Sequence, residues 1–207
     1  NVTVPFKQVV ISHLDELTQE AKKTQSVNTI YNIEGKIFGH NTDIEGFERA
    51  LKNTKYNFKK KKILILGAGG VVPSLIFALK KFDISNLIVS NRTKEKAKKL
   101  AIINPNIKII NWGETVEADV VINATSIGLK EKDEIHIDYD KIGSNKFFYD
   151  VIYNPRKTNF LKIAQQHGNQ VENGKMMFIY QAAASFKVWH GVEPKIDEHT
   201  TNLINND

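Results

Sequence analysis

Lys62-Ile63-Leu64-Ile65-Leu66-Gly67-Ala68-Gly69-Gly70-Val71-Val72 decides how this chain folds. The unbroken apolar run before Gly67 suits a strand buried on both faces, as in parallel sheets. The glycines then allow a tight turn, and helical spacing follows over 71–82, with Pro73 tolerated in the first turn. Working outward, strands are expected at 87–90, 108–112, 118–123 and 147–153, with helices at 93–102 and 159–167. This alternation predicts an α/β fold, a doubly wound parallel sheet covered on both faces.

A strand–glycine turn–helix unit also suits a pyrophosphate. Gly67 permits the turn, Gly69 lets the backbone approach the ligand, and Ala68 and Gly70 complete the loop at the helix N-terminus. The third position of the G-x-G-x-x-G pattern is Val72, and the same turn can serve structure alone. A second signal lies at the end of the next strand. NAD sites place a carboxylate there for the ribose 2′-hydroxyl, whereas this chain has Asn91-Arg92-Thr93, with Lys94 and Lys96 following. A guanidinium suits the 2′-phosphate of NADP by bidentate, charge-assisted contact. The plainer alternative is an exposed arginine at a strand end.

Upstream, Asn1-Val2-Thr3-Val4-Pro5-Phe6-Lys7 and Gly39-His40-Asn41-Thr42-Asp43 offer an amine and a carboxylate among short polar side chains. A helix is expected over 13–24, a hairpin from 27–33 and 36–39 about Glu34-Gly35, and a helix over 43–52. A lone lysine is ordinarily solvated, and a lone aspartate at a helix start ordinarily caps it. Asn1, Thr3, Asn28, Thr29, Asn41 and Thr42 give both residues company that can fix several hydroxyls of a polyol. A ketone reduction needs a proton or positive charge at the developing alkoxide, which an ammonium supplies. General acid/base and purely electrostatic roles for Lys7 stay open.

The composition narrows the field. The 207 residues carry 29 Lys+Arg against 23 Asp+Glu, but the lysines are dispersed apart from Lys59–Lys62 and lack interleaved aromatics, so no nucleic-acid partner is expected. No apolar run approaches the ~18 residues of a membrane span, and no membrane partner is expected. There is no cysteine, and the six histidines lack ligand spacing, so no metal site is expected. His40 reads as a surface turn, and Trp112 and Trp189 as packing residues. An amphipathic helix is expected over 175–191, with Phe178, Ala182, Ser185, Phe186 and Trp189 forming its core face, and a helix over 198–206.

The Asn1–Lys7 segment, Val27-Asn28-Thr29, Asn41-Thr42-Asp43, Gly46-Phe47, Gly67–Gly70, Asn91-Arg92-Thr93, Asn123–Gly128, Asp150–Tyr153 and Gln181-Ala182-Ala183 together resemble the shikimate dehydrogenase family, in order and over nearly the whole chain. The resemblance implies a Rossmann-type NADP domain plus an α/β substrate domain. It implies NADPH-dependent reduction of 3-dehydroshikimate to shikimate, in the cytoplasm, within aromatic amino acid biosynthesis. Quinate, or both acids, is the alternative substrate.

Carried over by motif, Lys7 and Asp43 are the catalytic pair. Asn1, Thr3, Asn28, Asp43, Tyr153 and Gln181 meet the substrate. Gly67, Ala68, Gly69, Gly70, Asn91, Arg92, Thr93, Lys96, Thr125, Gly174 and Met177 meet the cofactor. The expected domains are 1–43 with 175–207 for substrate and 44–174 for NADP. The family pattern begins further upstream, with a Ser-x-Ser segment that has no counterpart here. The substrate domain is therefore expected to be incomplete and the chain a truncated form. Such a form is expected to be poorly ordered there, or to self-associate through exposed edges, and in the extreme to act only as a nucleotide-binding module. A monomer or homodimer is otherwise expected.

Overall fold

A computed structural model of the chain describes residues 1–204. Two sheets organise it. The first half opens with β1 (Glu16–Leu17), α1 (Gln19–Thr24), β2 (Thr29–Ile33) and β3 (Lys36–His40). The β2–β3 hairpin turns at Glu34 and Gly35, both at positive φ, and β1 pairs in parallel with β3. α2 (Asp43–Asn53) then leads to β4 (Lys62–Leu66), α3 (Val72–Leu79), β5 (Asn86–Ser90), α4 (Lys94–Ile103), β6 (Ile107–Ile110) and β7 (Val120–Asn123). The chain closes with α5 (Tyr139–Ile142), β8 (Phe147–Asp150), α6 (Asn159–Gln166), β9 (Gln170–Glu172), α7 (Lys175–His190) and α8 (Glu198–Leu203).

The large sheet is six-stranded and wholly parallel, in the order β6-β5-β4-β7-β8-β9. Strand order reverses beside β4, so the crevice at the carboxyl ends of β4 and β7 is where such sheets hold ligands. Alternate residues face opposite layers. Ile63, Ile65, Val120, Ile122, Phe147 and Tyr149 pack with α2, α3, α4 and Met177 of α7. Leu64, Leu66, Val121 and Phe148 pack with α5 and α6. Burial on both faces is why these strands read as continuous apolar runs.

Several elements depart from expectation. The stretch 13–24 is not one helix. A 3₁₀ turn ends at His13, β1 follows, and Thr18 caps α1 by accepting from the Ala21 amide. Pairing of β1 with β3, reinforced by the Ile37 amide donating to Asp15 Oδ2 at 2.7 Å, overrides the local helical spacing. The helix expected over 71–82 gives way after Leu79 to a 3₁₀ turn, which ends at Asp83 in a left-handed conformation. The strand expected over 147–153 stops at Asp150, whose carboxylate accepts from the Ile152 amide and turns the chain. β9 and α5 were not expected from the sequence.

α7 carries apolar side chains on every side rather than one face. Phe178, Phe186 and Trp189 are 37%, 39% and 41% exposed, whereas Met177, Ile179, Ala183, Ala184 and Ser185 are buried. The residues expected to form its core face are therefore largely on the outside, apart from Ser185. The helix expected over 198–206 is seen as Glu198–Leu203, and Asn205–Asp207 lie outside the described residues. The three-stranded sheet is built within residues 16–40, in the order β1-β3-β2.

Candidate active site

Lys7 and Asp43 meet. Lys7 lies ahead of the 3₁₀ turn and Asp43 opens α2, where a helix N-terminus favours negative charge. The Lys7 ammonium donates to Asp43 Oδ2 at 2.5 Å, with the two side chains only 12% and 6% exposed. Charges so enclosed attract strongly, but each carries a desolvation cost that a merely structural lysine avoids.

Asn28 bridges the pair to the rest of the site. Its Nδ2 donates to Asp43 Oδ1 at 3.0 Å and Thr42 Oγ1 at 2.8 Å, and it lies 3.2 Å from Gln181 Oε1. The Thr42 amide and the Thr29 hydroxyl both donate to Asn28 Oδ1, at 2.9 Å. Asn1 Nδ2 donates to the Asn28 carbonyl at 3.1 Å and to Ser185 Oγ at 3.2 Å. Thr3, by contrast, is exposed, and its carbonyl accepts from the Phe6 amide. Ser185 was expected merely to pack. Its one sequence signal was its position four residues after Gln181, on the same helical face.

This corner touches the glycine turn. Ser26 Oγ donates to the Gly70 carbonyl at 3.1 Å, and Asn41 Nδ2 donates to Ser74 Oγ of α3 at 3.0 Å. A Cβ on Gly70 would stand 3.9 Å from Lys7 Cβ. At Gly67 φ is +112°, and a Cβ there would lie 2.8 Å from the Ala124 carbonyl oxygen. The turn is thus pressed against the end of β7, with Gly69 open to the crevice.

Beyond β5, Arg92, Thr93 and Lys96 are exposed. Asn91 Nδ2 donates to the Thr93 carbonyl at 2.7 Å and stiffens that turn. Neither Arg92 nor Lys96 has a carboxylate partner among the described residues. The donor set fits a 2′-phosphorylated dinucleotide: a glycine turn without side-chain bulk at a helix N-terminus, then an unpaired guanidinium after the second strand.

Thr125 lies in the loop after β7, its hydroxyl donating to Asn123 Oδ1 at 2.7 Å and accepting from the Ile127 amide. Gly174 caps α7 so tightly that a Cβ would fall 2.1 Å from the Val151 carbonyl oxygen. Tyr153 is 37% exposed and stacks on Phe178, ring centroids 4.4 Å apart. Met177, in the first turn of α7, is buried against the core of the large sheet.

Asp150 and His40 are among the titratable groups whose surroundings perturb them. Burial raises the Asp150 carboxyl to about 6, against the lowering effect of hydrogen bonds from Thr158, the Ile152 amide and Asn123. His40, half-buried and hydrogen-bonded to Thr18 at 2.8 Å, is held below its ordinary value chiefly by burial. It is not the simple surface residue that the turn suggested.

A dinucleotide crevice beside a buried lysine–carboxylate pair defines a two-part nucleotide-dependent oxidoreductase. Comparison with known proteins agrees in detail. Residues 48–173 match the family model described as shikimate / quinate 5-dehydrogenase, and residues 1–30 match the shikimate dehydrogenase substrate binding domain. The chain is 59% identical over 204 residues to the NADP(+) shikimate dehydrogenase of Pelagibacter ubique, covering 99% of this chain and 77% of that protein. Its fold is similar to the crystal structure of the Thermus thermophilus shikimate 5-dehydrogenase in complex with NADP(H) and shikimate. The TM-score is 0.87 at 32% identity, covering 99% of this chain and 76% of the other. It is also similar to the Corynebacterium glutamicum quinate dehydrogenase in complex with NAD, with a TM-score of 0.88 at 30% identity, covering 99% and 76%. The chain belongs to the shikimate dehydrogenase family.

Proposed function

We propose that this chain reduces 3-dehydroshikimate to shikimate with NADPH, and that Lys7 and Asp43 carry the reaction. The observation that supports this above all is the buried 2.5 Å contact between Lys7 and Asp43 beside the glycine turn. NADPH, when bound, supplies the hydride. Conversion of the C3 ketone to an alcohol then needs one proton on the oxygen. Lys7 Nζ is the donor or the stabilising charge for that oxygen, and Asp43 Oδ2 fixes the ammonium. Asn28 and Gln181 hold ring hydroxyls, with Asn1 nearby, and Tyr153 borders the ring. Gly67–Gly70 and the α3 N-terminus hold the pyrophosphate, Arg92 and Lys96 hold the 2′-phosphate, and Thr125, Gly174 and Met177 flank the nicotinamide half.

The separation into two sheets supports a substrate unit of 1–43 with 175–207 and a nucleotide unit of 44–174. Among the described residues no helix is long and apolar enough to cross a membrane, and the small-molecule chemistry proposed here supports a cytoplasmic location. The assembled pair favours an active chain over a bare nucleotide-binding module. A broader specificity that includes quinate is the second reading, favoured by the likeness to a quinate dehydrogenase.

Loss of NADPH absorbance on adding 3-dehydroshikimate tests the proposal. We expect oxidation with that acid and NADPH, slower oxidation with NADH, and little with 3-dehydroquinate. A rate with 3-dehydroquinate equal to that with 3-dehydroshikimate selects the second reading, and no oxidation with either refutes both.

A further inference from the structure

One hydroxyl outside the catalytic pair is more connected than a packing residue requires. Ser185, in the middle of α7, is fully buried. Its Oγ lies 2.7 Å from Thr29 Oγ1, 3.0 Å from Thr42 Oγ1 and 3.2 Å from Asn1 Nδ2. Proton accounting fixes the direction of these bonds, because a hydroxyl has one hydrogen and two lone pairs. Thr29 gives its proton to Asn28 Oδ1, so the short Ser185–Thr29 contact requires Ser185 to donate. With the Ser185 proton so engaged, Thr42 is the donor in its contact with Ser185. Asn1 Nδ2 occupies the second lone pair. Ser185 Oγ also donates towards the Gln181 carbonyl at 3.0 Å, so its one proton is shared between that oxygen and Thr29 Oγ1.

The bonds therefore close a ring, from Asn28 Nδ2 to Thr42, Ser185, Thr29 and back to Asn28 Oδ1. Both ends of the Asn28 amide are in it. One N–H is left over, and it faces Asp43 Oδ1 and Gln181 Oε1. Turning the amide over would set its oxygen against the Asp43 carboxylate and its NH₂ against the Thr42 backbone amide, two repulsive contacts.

We propose that Ser185 is a positioning residue: by holding the Thr29 and Thr42 hydroxyls against the two ends of the Asn28 amide, it keeps that amide in place with its N–H towards Asp43, and so holds the carboxylate of the Lys7–Asp43 pair. It acts from α7, 142 positions from Asp43 in sequence, and touches none of the reacting atoms. The proposal rests on the catalytic role given above to Asn28 and Asp43.

Two readouts test it. Ser185→Ala removes one oxygen and suits a helix. It is expected to lower kcat/KM for 3-dehydroshikimate about tenfold and leave the KM for NADPH unchanged. In an Asn28→Ala background the same change is expected to have no further effect, since the ring is already open. The second readout does not depend on turnover. The Asn28 side-chain amide protons, followed by NMR, are expected to exchange slowly in the parent chain and at least tenfold faster in Ser185→Ala. Equal exchange in the two, or equal losses of kcat/KM in both backgrounds, would overturn the proposal. A chain without activity but with the exchange difference would refute the proposed reaction and leave the ring standing.

Discussion

Each half of the molecule buries a carboxylate, and the two are treated differently. Asp43 meets an ammonium at 2.5 Å in a corner rich in hydroxyls and amides. Asp150, fully buried at the end of β8, has only neutral donors: Thr158 Oγ1 at 2.6 Å, Asn123 Nδ2 at 3.0 Å and the Ile152 amide at 3.0 Å. The reverse occurs on the nucleotide side, where Arg92 and Lys96 are cations without an acid among the described residues. The corner is internally neutral and arranged before any ligand arrives. The shelf after β5 keeps exposed cations, which suits the anion proposed to bind there. Asp150 needs no cation because its task is to pin the loop that carries Tyr153.

The largest expected effect breaks the charged pair. Lys7→Ala should reduce kcat about 10³-fold, through loss of proton donation and of oxyanion stabilisation together. NADPH affinity, measured by fluorescence titration, should stay within about twofold. Equal losses in turnover and NADPH affinity would show the lysine to be a nucleotide ligand instead.

Next comes the joint between the halves. Gly174→Ala places a Cβ 2.1 Å from the Val151 carbonyl oxygen, so α7 must move away from the loop after β8. Urea unfolding should show a loss of about 3 kcal/mol.

Asp150→Asn sharpens the contrast between the carboxylates. The folded Asp150 carboxyl keeps its proton to about pH 6, while the unfolded one releases it near 3.8. Its raised value makes the folded state the better proton binder, so this group's contribution is most favourable below about pH 4 and is lost as the pH climbs to about 6. The substitution abolishes that titration. The stability of Asp150→Asn relative to the parent should therefore rise by about 2–3 kcal/mol between pH 4 and pH 7, as read by denaturation at a series of pH values.

The smallest effect belongs to the exposed shelf. Arg92→Ala should raise the KM for NADPH about tenfold, a loss of about 1.4 kcal/mol, leave kcat and stability near the parent values, and narrow the preference over NADH. An unchanged KM would remove Arg92 from the 2′-phosphate site.

The parts legible in the sequence were those whose cause is local. Ile63–Leu66 followed by Gly67 announces a buried strand and a turn within a few residues. Arg92 is informative because a carboxylate is missing at one known offset from that turn. Lys7 and Asp43 were legible as types in company, though not their 2.5 Å contact. What stayed hidden depends on distant partners. The break in 13–24 comes from pairing with β3, more than twenty positions on. Ser185 looked like packing because its partners, Thr29 and Thr42, are 156 and 143 positions away. The aromatics of α7 follow core spacing yet lie outside, because α7 buries Met177, Ile179, Ala183 and Ala184 instead and packs closely on Gly46 of α2, where a Cβ would stand 2.7 Å from Gln181 Cβ.

The central claim is that Lys7 and Asp43 converge on the carbonyl that is reduced. A crystal structure with NADPH and 3-dehydroshikimate, or its inert analogue pair, measures this directly. The account requires Lys7 Nζ within about 3.2 Å of the C3 oxygen, and that carbon about 3.5 Å from the hydride-bearing carbon of the nicotinamide. A filled site in which Lys7 and Asp43 face solvent, away from the C3 oxygen, would contradict it.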